Sequence, residues 1–153
     1  MKLLLETNTW LLNISLLLLR CTVGIILFVG GAGKVFGWFG GMGLKTTIDM
    51  FHAGMSISNF WIYVSCYTEL IGGLLLTIGL FTRPAALALT INMLVAVIIV
   101  GFKNFFMGGA AYPFSLMIGS FIILLAGPMA YSLDKLLFGG RLLRSLRQRQ
   151  VTA

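Results

Sequence analysis

Charge is what this sequence has least of: 11 Lys and Arg and 4 Asp and Glu among 153 residues, where an average soluble domain of that length carries roughly 38 charged side chains. A shortage of that size excludes an ordinary soluble fold. Proline is also scarce, with 3 beside 19 glycines, so the low polarity belongs neither to collagen nor to a disordered linker. A single histidine, His52, excludes a haem held by two histidines of this chain and leaves no zinc ligand set. Both cysteines, Cys21 and Cys66, fall inside apolar stretches and form neither a disulfide framework nor a metal-spacing motif. Such thiols are most often inert packing. No Ser, His and Asp constellation and no phosphate-binding G-x-x-x-x-G-K-[ST] loop is present.

What the chain has instead is long apolar runs, at Leu11 to Gly33, Phe60 to Phe81, Ala85 to Phe102 and Tyr112 to Ala126. At ~1.5 Å per residue the first two cross a ~30 Å hydrocarbon core, the third just does, and the fourth borrows flanking residues. Thr82, Arg83 and Pro84 make a tight link whose proline suits the first turn of the next helix, and Pro113 serves the fourth helix likewise. Gly127 and Pro128 stop that helix. The pattern predicts an all-α integral membrane four-helix bundle over residues 1–134, followed by a basic tail over 135–153. Lys2 precedes the first run, but Arg20 interrupts it and no A-x-A site follows, so the first helix is expected to stay uncleaved.

An even number of spans puts both ends on one side. Lys2, Arg83, Lys135, Arg141, Arg144, Arg147 and Arg149 fall there, against Lys34, Lys45 and Lys103 on the other. Positive-inside then predicts cytoplasmic termini, and the basic excess reads as membrane anchoring and not as nucleic-acid binding. In the outer loop, Leu44, Ile48, Phe51 and Met55 recur at i, i+4, i+7 and i+11. That spacing predicts an amphipathic helix lying in the interface between helices 1 and 2.

Arg20 and Glu69 each stand within two residues of the centre of an apolar span. The expectation is that they share a depth near the bilayer midplane and pair there, because each would otherwise be unpartnered in lipid. Two readings of the pair stand: a clasp that fixes helix register, or a polar site, with Tyr67, Asn92 and Tyr112 nearby, that meets a quinone, a small anion or a proton path. Arg20, Gly24, Gly30 and Lys34 also match Glu69, Gly73, Gly79 and Arg83 at a constant offset of 49, as in an inverted repeat. Seven glycines between positions 30 and 43 surround Lys34 and Trp38. They read either as a helix stop and turn or as a mouth where Lys34 and free N–H groups hold an anionic or carbonyl group at the outer face. Trp10, Trp38 and Trp61 suit interface anchors.

The run Leu18-Leu19-Arg20 with Gly24, Phe28, Gly33 and Lys34, then Trp38-Phe39-Gly40-Gly41, resembles the first half of the DoxX family of small four-helix bacterial membrane proteins. The likeness continues through Glu69-Leu70, Gly72-Gly73, Gly79-Leu80, Thr82-Arg83, Gly127-Pro128 and Tyr131-Ser132-Leu133-Asp134. This resemblance implies a bacterial inner-membrane protein, a subunit of a quinone- or thiol-linked redox assembly that is not catalytic alone, with other membrane or soluble oxidoreductase subunits as partners; a homo-oligomer is a further state to test. It offers Arg20, Lys34, Glu69, Arg83 and Asp134 as polar positions of interest, and a quinone as the ligand to consider. A small transporter or lipid-handling protein, or an assembly factor without ligand, are the competing readings; solute flux in liposomes would favour the transporter.

Overall fold

The computed structural model describes residues 9–55, 57–101, 109–127 and 132–137, and among them every regular element is helical. The helices are α1 (Thr9–Phe36), α2 (Gly43–Met55), α3 (Asn59–Ile78), α4 (Thr82–Val100) and α5 (Ala111–Ala126), with a short 3₁₀ turn at Trp38–Gly40 after α1. Residues 133–137 form one further helical turn. This is the expected membrane helical bundle. Three helices are long and apolar enough to cross a bilayer, and α5, at 16 residues, is the short one. Lys2, the Lys103 loop, Pro128, Tyr131 and the basic tail from Phe138 onward lie outside the described residues.

Local chemistry accounts for the boundaries. Pro84 and Pro113 each occupy the first turn of their helix, where the missing N–H has no helical partner to lose. Gly79 and Gly127 end α3 and α5 with positive φ, 73° and 71°, a conformation glycine adopts without steric cost. α2 buries Thr47 and half-buries Leu44, Ile48 and Phe51 against α1 and α3, as the amphipathic spacing predicts. Val23, Leu27, Leu76, Leu89, Met93, Leu116 and Ile123 form the core. Many other large apolar side chains face outward, among them Leu18, Ile71, Ile98 and Leu125, which is the arrangement a lipid solvent favours.

α1 and α3 form the closest antiparallel pair, and glycines set their register. A Cβ at Gly31 would overlap the Leu70 backbone, one at Gly73 would overlap Phe28, and one at Gly24 would lie 2.8 Å from the Thr77 amide nitrogen. Each contact joins residues whose numbers sum to about 100. The midpoints of the two helices are therefore staggered by roughly ten residues, or ~15 Å. α1 begins at what we term the terminal face and ends at the distal face, where the 3₁₀ turn and α2 lie.

Candidate functional site

The stagger decides which charges meet. Arg20 and Glu69 are each central in their own helix, but they do not pair, which corrects the expectation drawn from the sequence. Arg20 instead lies level with the α3–α4 turn: a Cβ at Gly79 would sit 2.7 Å from its Nη1, and Glu69 is ten residues, ~15 Å, further along α3. The partner of Glu69 is Lys34, in the last turn of α1.

Lys34 Nζ donates to both carboxylate oxygens of Glu69, at 2.7 Å to Oε1 and 2.6 Å to Oε2. The side chain of Glu69 is 6% exposed and that of Lys34 36%, so the anion is held inside the α1–α3 seam while the cation reaches outward. Gly30 makes room for the carboxylate, since a Cβ there would stand 3.7 Å from Oε2. Cys66, one turn before Glu69 and buried, and Tyr112 at the start of α5 both lie within the electrostatic reach of the pair. An ammonium has three N–H donors. Two face Glu69, and the third has no partner among the described residues.

The remaining candidates divide. Tyr67 is 42% exposed and stands roughly 200° around α3 from Glu69, so it faces away from the pair. Asn92, half-buried on α4, keeps its Nδ2 enclosed without a hydrogen-bond partner among the described residues. Trp38 stacks on Phe36 with ring centroids 4.9 Å apart and meets Phe39 edge-on at 6.5 Å. These exposed rings stand beside the glycine-rich turn, where Gly37, Phe39, Gly40 and Gly43 all have positive φ and Gly41 packs directly on the Gly33 backbone. That stretch is a helix stop followed by a compact turn, and it brings the end of α1 close beneath the distal surface.

At the terminal face a second polar cluster surrounds Arg20, which is only 2% exposed. Arg20 lies over Gly79 at the C-terminus of α3, and Arg83 lies over Gly127 at the C-terminus of α5, where an added Cβ would stand 2.8 Å from its Nε. Both guanidiniums thus meet the negative end of a helix dipole. Asp134 completes the cluster. Its carboxylate accepts from the Phe81 amide at 2.7 Å and the Thr82 amide at 2.8 Å, while its own amide donates to the Gly79 carbonyl at 3.0 Å. Burial pushes the Asp134 carboxyl up, but those amide bonds and the Arg20 charge outweigh it and hold the group below the usual carboxylate value. α4 has no capping side chain at its own N-terminus, where Phe81 adopts φ 48°, so Asp134 caps it from more than fifty residues away. No local signal in the sequence announces this cap, since Thr82 just ahead of Pro84 itself reads as the capping residue.

The offset of 49 has a structural counterpart. Gly24 meets Gly73, Arg20 meets Gly79, and Glu69 meets Gly30; exchanging the two helices converts the second contact into the third. The fourth match breaks the symmetry, because Lys34 binds Glu69 whereas Arg83 faces Gly127 and Asp134 supplies the carboxylate at that end.

The DoxX family model matches residues 15–101, the stretch that contains Arg20, Lys34, Glu69 and Arg83. The chain belongs to the DoxX family. It is also 35% identical over 129 residues to the Bacillus subtilis (strain 168) protein named "Putative oxidoreductase CatD", a match covering 84% of this chain and 91% of that one. No solved structure matches the chain significantly. This DoxX protein is thus a membrane protein of the DoxX kind.

Proposed function

We propose that the chain is the membrane-embedded subunit of a redox assembly and that the Lys34–Glu69 pair is its point of contact with a small oxygen-bearing acceptor of the quinone type. The observation that carries this reading is the asymmetry of the pair: a nearly buried carboxylate fixes an ammonium that is one-third exposed. A buried clasp repays its desolvation only when every remaining donor and acceptor is also satisfied. Here one N–H of Lys34 is left over, on the exposed flank of α1.

Lys34 lies two residues from the end of α1 and approaches from the distal side. Glu69 stands midway along the 20-residue α3, ten residues or ~15 Å from Gly79 and nine or ~14 Å from Phe60, so the pair lies near mid-depth of that span. A quinone headgroup at that depth presents carbonyl oxygens, and on reduction it takes up two electrons and two protons. In this reading Lys34 hydrogen-bonds such an oxygen, Glu69 keeps the ammonium in place and charged, and the pair supplies a route for a proton to reach the bound oxygen. Electrons come from a partner subunit. The count of seven Lys and Arg in the terminal segments and the Arg83 link, against Lys34, Lys45 and Lys103 in the other connections, supports cytoplasmic termini in an inner membrane, with Lys34 reaching the site from the outer side.

Gentle purification from native membranes, followed by identification of bound proteins and lipids, tests the assignment. The expected result is a co-purifying flavin, haem or iron–sulfur subunit. Recovery of the chain alone, together with solute flux by the purified protein in liposomes, would contradict it and favour a transporter.

A further inference from the structure

A groove separate from the Lys34–Glu69 pair lies between α2 and the start of α3. Leu44, Lys45, Ile48 and Asp49 form one side and Tyr63 the other of an open depression of about 380 Å³. It is at the distal boundary, because Phe60, Trp61 and Tyr63 on the same end of α3 are exposed, as in the aromatic belts that mark the headgroup layer. The floor is apolar and the rim carries one charge of each sign.

Those two charges do nothing evident for the helix that bears them. Lys45 and Asp49 are four residues apart, yet among the described residues neither makes an ion pair or a hydrogen bond. A cation placed before its anion is the weaker order for a helical pair. Lys45 also stands in the first turn of α2, where the helix dipole disfavours a positive charge.

We infer that the α2–α3 groove binds a zwitterionic phospholipid with a primary ammonium headgroup, of the phosphatidylethanolamine type. Lys45 takes the phosphate, Asp49 takes the ammonium, and Leu44, Ile48 and the Tyr63 ring cover the glycerol and the first acyl carbons. An anionic glycerol headgroup would satisfy Lys45 but leave its charge beside Asp49 without an ammonium. A choline headgroup has no N–H to donate to the carboxylate and is held instead by aromatic cages, of which this groove offers one ring.

Full-length protein equilibrated with equal amounts of phosphatidylethanolamine and phosphatidylglycerol and examined by native mass spectrometry gives the test. Wild type should retain the ethanolamine lipid about three- to fivefold over the glycerol lipid, the scale of one exposed charge contact. Asp49→Asn should bring the ratio near one without changing thermal stability, and Lys45→Gln should lower retention of both lipids. Both positions are exposed, so folding is not at stake. Equal retention by wild type, or a preference unchanged in Asp49→Asn, would overturn the inference.

Discussion

Glu69 shows how much a single buried charge depends on its partner. Glu69→Leu leaves Lys34 facing an apolar seam, and a loss of about 1–3 kcal/mol in unfolding free energy is expected, below the cost of breaking a fully buried pair because the lysine can reach the interface. Replacing both, Lys34→Met with Glu69→Leu, should recover most of it, since both desolvation costs disappear; denaturant titration in detergent micelles measures both. Asp134 is the other residue with a defined role. Asp134→Ala removes the cap of α4 and should cost about 0.5–2 kcal/mol. Its carboxyl has a lowered pKa in the fold, so its ionised contribution is fully present above the unfolded-state value and is lost as pH falls through the lowered folded value. The difference in melting temperature between wild type and Asp134→Asn should therefore be flat near neutrality and shrink only in acid, below about pH 4. Residue types alone made Glu69, Lys34 and Arg20 legible as positions of interest. Their partners were not legible, because position within a span says nothing about the axial offset of two spans.

At the scale of elements, the spans and turns could be read from the chain because hydropathy and proline chemistry are local. The α1–α3 stagger is a property of two surfaces. It arises where Gly24, Gly31 and Gly73 let the backbones meet, and its only trace in the sequence was the offset of 49. Gly31→Ala should force α1 and α3 apart and cost at least about 1–3 kcal/mol, because the obstructing atoms belong to the Leu70 backbone and cannot swing aside. Gly54→Ala, in α2 with nothing within 4 Å of the added carbon, should be neutral or stabilise by up to ~1 kcal/mol. Thermal unfolding followed by circular dichroism distinguishes the two; equal effects would mean that glycine packing does not set the register.

For the whole molecule, opposite faces carry different chemistry. The terminal face holds Arg20, Arg83 and Asp134 in a cluster that closes the α3–α4 turn, and the distal half of the α1–α3 seam holds Lys34 and Glu69 with one donor turned outward. Cysteine labelling at an engineered position beside Lys45, and at one in the tail, should modify the first and spare the second from outside intact cells; the reverse pattern would invert the assignment of faces. The central claim, that the distal pair serves a redox function beyond holding helices together, is tested most directly by the quinone-linked activity of native-host membranes carrying Lys34→Met with Glu69→Leu. The account predicts normal abundance and near-normal melting with that activity lost. Full activity in the well-folded double variant would contradict it and reduce the pair to a clasp.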